Sequence, residues 1–143
     1  MRPVRGRWEQ LTTALSWLQS EVPAMATAAL AMGAGDGAET LDAPSRHRIP
    51  VVFVHGLFGH ATNFHALRRH LVARGIARFA SYSYLPRLDF ARLAPRLAEH
   101  VEEICDATGA PAVDVVGHSL GGLIARYLVL TSPGVRIRRL VTL

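Results

Sequence analysis

Residues 114–130, DVVGHSLGGLIARYLVL, change periodicity half-way: an apolar run through Val115 and Val116 gives way to Leu120, Ile124 and Leu128, four residues apart. A buried run followed by a 3.6-residue pattern predicts a strand that passes directly into a helix. Between the two stands Gly117-His118-Ser119-Leu120-Gly121, a Gly-x-Ser-x-Gly pattern. A strand enters a helix this abruptly only if the flanking positions lack bulk, because the turn brings backbone segments together. Gly117 and Gly121 meet that need, and Gly122 lets the helix sit close to the sheet. Ser119 is then held at the carboxyl end of a strand, where open α/β sheets put their ligands. It also stands at a helix N-terminus, whose free N–H groups favour developing negative charge. The pattern makes Ser119 a candidate nucleophile.

In a chain with 12 glycines the pattern can arise by chance, so context decides. A second loop of the same kind supplies it. Residues 52–60, VFVHGLFGH, put His55-Gly56 directly after the continuous apolar run 49–54, which reads as a parallel strand buried on both faces. Pro50 is tolerable there because it opens the strand. Acyl transfer needs two backbone N–H donors aimed at the oxyanion. Leu120, the residue after Ser119, offers one; the loop that begins at His55 is the expected source of the second, and Gly56 lets it bend close.

The remainder of the chain from Ile49 alternates strand and helix. Phe64, Leu67 and Leu71 mark a helix stopping near Gly75, and residues 78–84 (RFASYSY) a short strand ended by Pro86. Phe90, Leu93, Leu97, Val101 and Ile104 stripe a longer helix that ends near Gly109. Residues 112–117 form the next strand, and 137–143 (IRRLVTL) begin another. Repeated βα units with connections of this length predict an α/β fold with a doubly wound, mostly parallel sheet over 49–143. Ahead of it, Trp8, Leu11, Leu15, Leu18 and Val22 fall at alternating spacings of 3 and 4, an amphipathic helix, and 33–48 is Gly-, Ala-, Asp- and Pro-rich and reads as a linker. The chain thus divides into 1–48 and 49–143. The N-terminal helix is expected to pack on the domain that follows. A second reading, from Trp8, Trp17 and the nearby arginines, is an interfacial helix touching a membrane periphery. A signal peptide is disfavoured by Glu9, Glu21 and Pro23.

Composition excludes several classes. The chain is half hydrophobic and 19% charged, the balance of a globular protein. The apolar stretch 22–35 is too short to span a bilayer, which needs about 20 residues, so no transmembrane helix is expected. With a signal peptide disfavoured, a cytoplasmic or membrane-peripheral site is favoured over secretion. The net charge of +5 comes from 16 arginines and no lysine, spread along the chain without interleaved aromatics, so it does not predict a nucleic-acid partner. Cys105, the single cysteine, lies in an apolar stripe and reads as a buried thiol.

Taken together, VVFVHGLFGH, DVVGHSLGGLIARY and the trailing RRLVTL resemble the α/β-hydrolase superfamily, most closely its bacterial triacylglycerol lipase and esterase branch. The resemblance covers 49–143. It implies Ser119 as nucleophile and the N–H groups of Leu57 and Leu120 as the oxyanion hole. His55, Gly56, Gly117, His118 and Gly121 become supporting loop residues, His55 shaping its loop rather than acting as base. The implied reaction is hydrolysis of a carboxylic ester, of a lipid or another apolar acyl group, through an acyl-enzyme, with no metal and no organic cofactor. An acyltransferase or thioesterase on the same scaffold is the neighbouring alternative, and a non-catalytic module binding lipid or protein is the alternative from another class.

A serine hydroxyl also needs a base, oriented by a carboxylate, and the superfamily's chain order is Ser, acid, His. Residues 120–143 contain no Asp, Glu or His. His118 is directed away from Oγ by its place in the turn. Asp114 lies about 16 Å back along the strand at ~3.3 Å per residue. His60 and His65 read as loop and helix-face residues. The sequence is therefore expected to be the N-terminal part of a longer protein that supplies the acid and the His.

Overall fold

The computed structural model describes residues 39–84 and 89–143. The amphipathic stretch 8–22 and Pro86 lie outside them. All the described residues fall within one compact unit, Gly35–Leu143. Four parallel strands, β1 (Val51–Val54), β2 (Phe79–Tyr82), β3 (Val113–Gly117) and β4 (Ile137–Thr142), form one sheet in the order β2-β1-β3-β4. Three helices connect them: α1 (His65–Val72), entered through the 3-10 turn Ala61–Phe64, then α2 (Phe90–Thr108) and α3 (Leu120–Thr131).

β1 is buried at all four positions, as a central parallel strand must be. Its side chains alternate between two cores. Val52 and Val54 join Ala80, Val113 and Val115 against Leu97 and Val101 of α2 and Ile124 and Leu128 of α3. Val51 and Phe53 face the other way, with Phe64, Phe79 and the inner side of α1. The first crossover runs over one face and the next two over the opposite face. That follows from right-handed connections leaving β1 first toward β2 and then back across to β3.

Local chemistry fixes the helix ends. Asp89 caps α2, its carboxylate accepting from the Arg92 N–H at 3.3 Å, and Gly109 ends the helix at φ 65, a left-handed residue that glycine adopts without cost. Gly75 does the same after α1, at φ 80.

Residues 39–48, which composition gives to a linker, are tied to the sheet. Thr40 N–H donates to Phe79 O at 2.9 Å on the outer edge of β2, Thr40 Oγ1 donates to Ala77 O at 2.6 Å, and Arg46 N–H reaches Gly75 O at 2.9 Å. Composition registers a lack of periodicity; it does not register hydrogen bonds to residues 29 to 39 positions away.

Candidate active site

In an open parallel sheet the ligand crevice opens where successive connections leave in opposite directions, outside the carboxyl ends of the strands. Here that point lies between β1 and β3, because the chain steps from β1 outward to β2 and then returns across to β3. The register pairs Val54 with Gly117, so His55 and His118 leave the sheet side by side. His118 N–H still donates to Val54 O at 3.0 Å, holding the two departing loops together.

Ser119 sits one residue further, at φ 51 and ψ −120, as the residue preceding α3. An L residue in that region is strained and persists only where its surroundings over-determine it. Those surroundings are visible. Ser119 N–H donates to Leu143 O at 2.9 Å and Leu143 N–H to Gly117 O at 2.9 Å. A Cβ on Gly121 would overlap the carbonyl oxygens of Val54 and His55, and one on Gly117 would lie 2.6 Å from Gly122 Cα. The start of α3 therefore rests directly on the end of β1, and only glycine allows it.

The Ser119 hydroxyl is exposed and caps nothing. Helices begin with N–H groups that lack intrahelical partners; in α3 those of Gly121, Gly122 and Leu123 are taken up by His118 O and Ser119 O. The Leu120 N–H has no acceptor among the described residues.

The opposing loop turns back on itself: Gly59 N–H donates to Gly56 O at 3.0 Å, and Phe58 stands at φ 55, a conformation turns ordinarily give to glycine. Leu57, half-buried between them, likewise has an N–H without an acceptor among the described residues. A Cβ on Gly56 would be 3.1 Å from Ser119 Cβ and 3.1 Å from His118 Nδ1, so the two loops touch across this glycine. Ser119, Leu120, Leu57, His55, Gly56, Gly117, His118 and Gly121 all lie at one end of the sheet.

His55 is buried beneath the loop. Its Nδ1–H donates to Gly56 O at 2.9 Å, and its ring stacks on Tyr84 with centroids 4.5 Å apart and planes 6° from parallel. Tyr84 Oη–H donates to His55 O at 2.6 Å. Burial, with Tyr82 as a lesser neighbour, pushes the Tyr84 phenol up to about 12, so it stays a donor at neutral pH. Sequence reasoning gave Tyr84 only to a strand.

The carboxylates and other histidines are not brought to Ser119. Asp114 accepts from Arg138 Nε at 2.9 Å and Nη2 at 2.5 Å and lies 3.1 Å from His47 Nε2. Burial pushes its carboxyl up, but those bonds outweigh it and hold it below the usual range. His60 Nδ1 accepts the Thr62 N–H at the 3-10 turn. His118 is exposed, its ring against Gly56, with no hydrogen bond to Ser119 among the described residues. Those residues also hold no cluster of three His, Cys, Asp or Glu side chains that could bind a metal, and no helix long and apolar enough to cross a membrane.

Residues 51–143 match the model of the alpha/beta hydrolase family. The chain belongs to that family. It is 30% identical over 128 residues to a triacylglycerol lipase of Burkholderia plantarii, covering 84% of this chain and 36% of that protein. It is 32% identical over 110 residues to the mouse sn-1-specific diacylglycerol lipase ABHD11, covering 74% and 33%. The mature lipase BlEst2 of Bacillus licheniformis superposes with a TM-score of 0.61 over 76% of this chain and 46% of that one, at 23% identity, a likeness of fold. The chain thus spans about a third of the length of these curated relatives.

Proposed function

We propose that the chain carries the nucleophile and oxyanion-hole part of a serine hydrolase that cleaves carboxylic esters of apolar acyl groups through an acyl-enzyme. The observation that carries this reading is Ser119: a strained, exposed serine at the switch point, against Gly56, with two uncommitted N–H groups on the loops either side of it. Ser119 Oγ attacks the ester carbonyl, and the tetrahedral oxyanion is stabilised by the N–H groups of Leu57 and Leu120. Preorganised donors of this kind contribute on the order of 10²–10³ in rate. Departure of the alcohol leaves an acyl-Ser119, which water then hydrolyses. His55 shapes the oxyanion loop and takes no proton from substrate. Leu57 and the exposed Phe58 give the entrance an apolar character, and the lipase names of the relatives agree with an acyl-ester substrate.

Proton transfer requires a base. None of the described residues approaches Ser119 in that role, and the chain spans about a third of the length of its curated relatives. The base and its orienting carboxylate are therefore assigned to the part of the family's fold that these 143 residues do not span, as carried by a longer protein. The test compares hydrolysis of p-nitrophenyl acetate, butyrate and octanoate by that longer protein, with and without Ser119→Ala. The expected result is a preference for the longer acyl chains and loss of at least ~10³-fold in kcat on substitution. Undiminished activity in Ser119→Ala would remove the proposal. Binding of the same esters without turnover would favour a non-catalytic lipid-binding module.

A further inference from the structure

An oxyanion donor is useful only if it is aimed before the charge develops, within about 0.5 Å of its working position. The loop carrying Leu57 has little internal means of holding still. The ladder of β1 ends at Val54. Beyond it the loop closes on one backbone bond, Gly59 N–H to Gly56 O, and contains Phe58, 79% exposed and in a strained conformation. Among the described residues, the Tyr84 hydroxyl is the one side-chain donor that reaches the loop's backbone from outside it.

We infer that Tyr84 is a positioning residue for the oxyanion hole. Its hydroxyl holds the His55 carbonyl at 2.6 Å while its ring lies flat on the His55 imidazole, so the peptide that leads into Gly56 and Leu57 is fixed in both position and tilt. Two contacts on one residue remove two freedoms. The hydrogen bond sets how far the His55 carbonyl stands from β2, and the stack sets how the ring beneath the loop is turned. The imidazole passes this on, because its Nδ1–H donates at 2.9 Å to Gly56 O, the same oxygen that receives the Gly59 N–H. Tyr84 is itself braced. Its ring packs 5.7 Å from that of Tyr82, and Tyr82 Oη–H donates to Leu93 O of α2 at 3.3 Å. The brace runs from α2 through two tyrosines and one histidine to the loop beside Ser119, and none of these groups touches a reacting atom.

This inference rests on the hydrolase reading for its purpose but not for its test. Tyr84→Phe keeps the stacked ring and removes only the hydroxyl. In the 143-residue chain, amide hydrogen exchange at Gly59 reports the turn directly and requires no chemistry. The exchange is expected to accelerate about tenfold in Tyr84→Phe, the loss of roughly one buried hydrogen bond, while exchange in β1 and β3 is unchanged. Unaltered protection at Gly59, or an equal loss throughout the sheet, would overturn the inference. In the longer protein, inactivation by a fluorophosphonate supplies the second readout. Tyr84→Phe is expected to lower the maximal inactivation rate about tenfold and to leave the half-saturating concentration unchanged, a split that general destabilisation does not produce. A change in half-saturation alone would also count against it. If the wild-type longer protein is not labelled at all, the hydrolase reading fails, and the Gly59 exchange still decides whether Tyr84 holds the loop.

Discussion

Holding Ser119 at φ 51 costs about 1–3 kcal/mol, the usual range for an L residue in a sparsely populated region, and tight packing at Gly117, Gly121 and Gly122 offsets it. Gly121→Ala is expected to destabilise by roughly 3 kcal/mol or more, because the added methyl meets two backbone oxygens that cannot move without tearing β1 from α3. Gly134→Ala, with open space where its Cβ would be, should change stability by less than about 0.5 kcal/mol. Urea denaturation of the two variants measures the contrast. Cys105 makes a second prediction at this scale. Burial raises its thiol above the ordinary value, so Ellman's reagent should react with it in urea and leave it untouched in the native chain. The serine's place was legible in the sequence because glycine on both sides of a strand-to-helix turn has few other uses. Tyr84 was not, since its partner His55 is 29 residues away and a Tyr two positions beyond Tyr82 looks like one more strand residue.

The helices depend on their stripes. Leu97 of α2 is fully buried among Val52, Val54, Ile124 and Leu128, and Leu97→Ala is expected to cost about 3 kcal/mol by the transfer and cavity effects of such truncations. A shift in the urea midpoint at constant slope would measure it. Between β3 and β4 the register slips at Val113/Asp114, passing over Arg138, whose guanidinium closes on Asp114. The Asp114 carboxyl is held below its ordinary value, so the folded state gains stability from it above the unfolded aspartate value of about 3.9. That gain disappears as pH falls through the depressed folded value. Asp114→Asn should therefore be less stable than the natural chain at pH 7, and the difference should shrink below about pH 4. A difference that is constant with pH would show that the interaction is not ionic. Periodicity made the strands and helices legible. It left Arg68 unforeseen: this residue is buried on α1 with its guanidinium 5.1 Å from the Phe53 ring centroid and its Nη2 donating to Ser81 Oγ. A charged residue among Phe64, Leu67 and Leu71 looks solvent-facing until the second core beneath the sheet is seen.

At the scale of the molecule, the two sheet edges differ. The outer side of β2 is met by Thr40 at Phe79. β4 is the opposite edge, and beside it Leu123, Leu130, Val141 and Leu143 are at least half exposed. Among the described residues no strand pairs with that edge, and an unpaired edge flanked by apolar surface is a template for pairing. The 143-residue chain should therefore self-associate with concentration, and Leu130→Glu combined with Val141→Arg should reduce that in sedimentation velocity. The fold class followed from alternating periods, and the meeting of two glycine loops, on which the proposed nucleophile and oxyanion hole rest, followed from their glycines. The rest of the proposed site was not legible because no acid or His stands in 120–143 to be read. The central proposal is that Ser119 is a nucleophile whose base belongs to the part of the family's fold that these 143 residues do not span. Its most direct test is fluorophosphonate labelling, read by peptide mass, of this chain and of the protein translated past Leu143. The account predicts one adduct, on Ser119, in the longer protein and none in the 143-residue chain. An unlabelled longer protein, or an adduct on another residue, would contradict it.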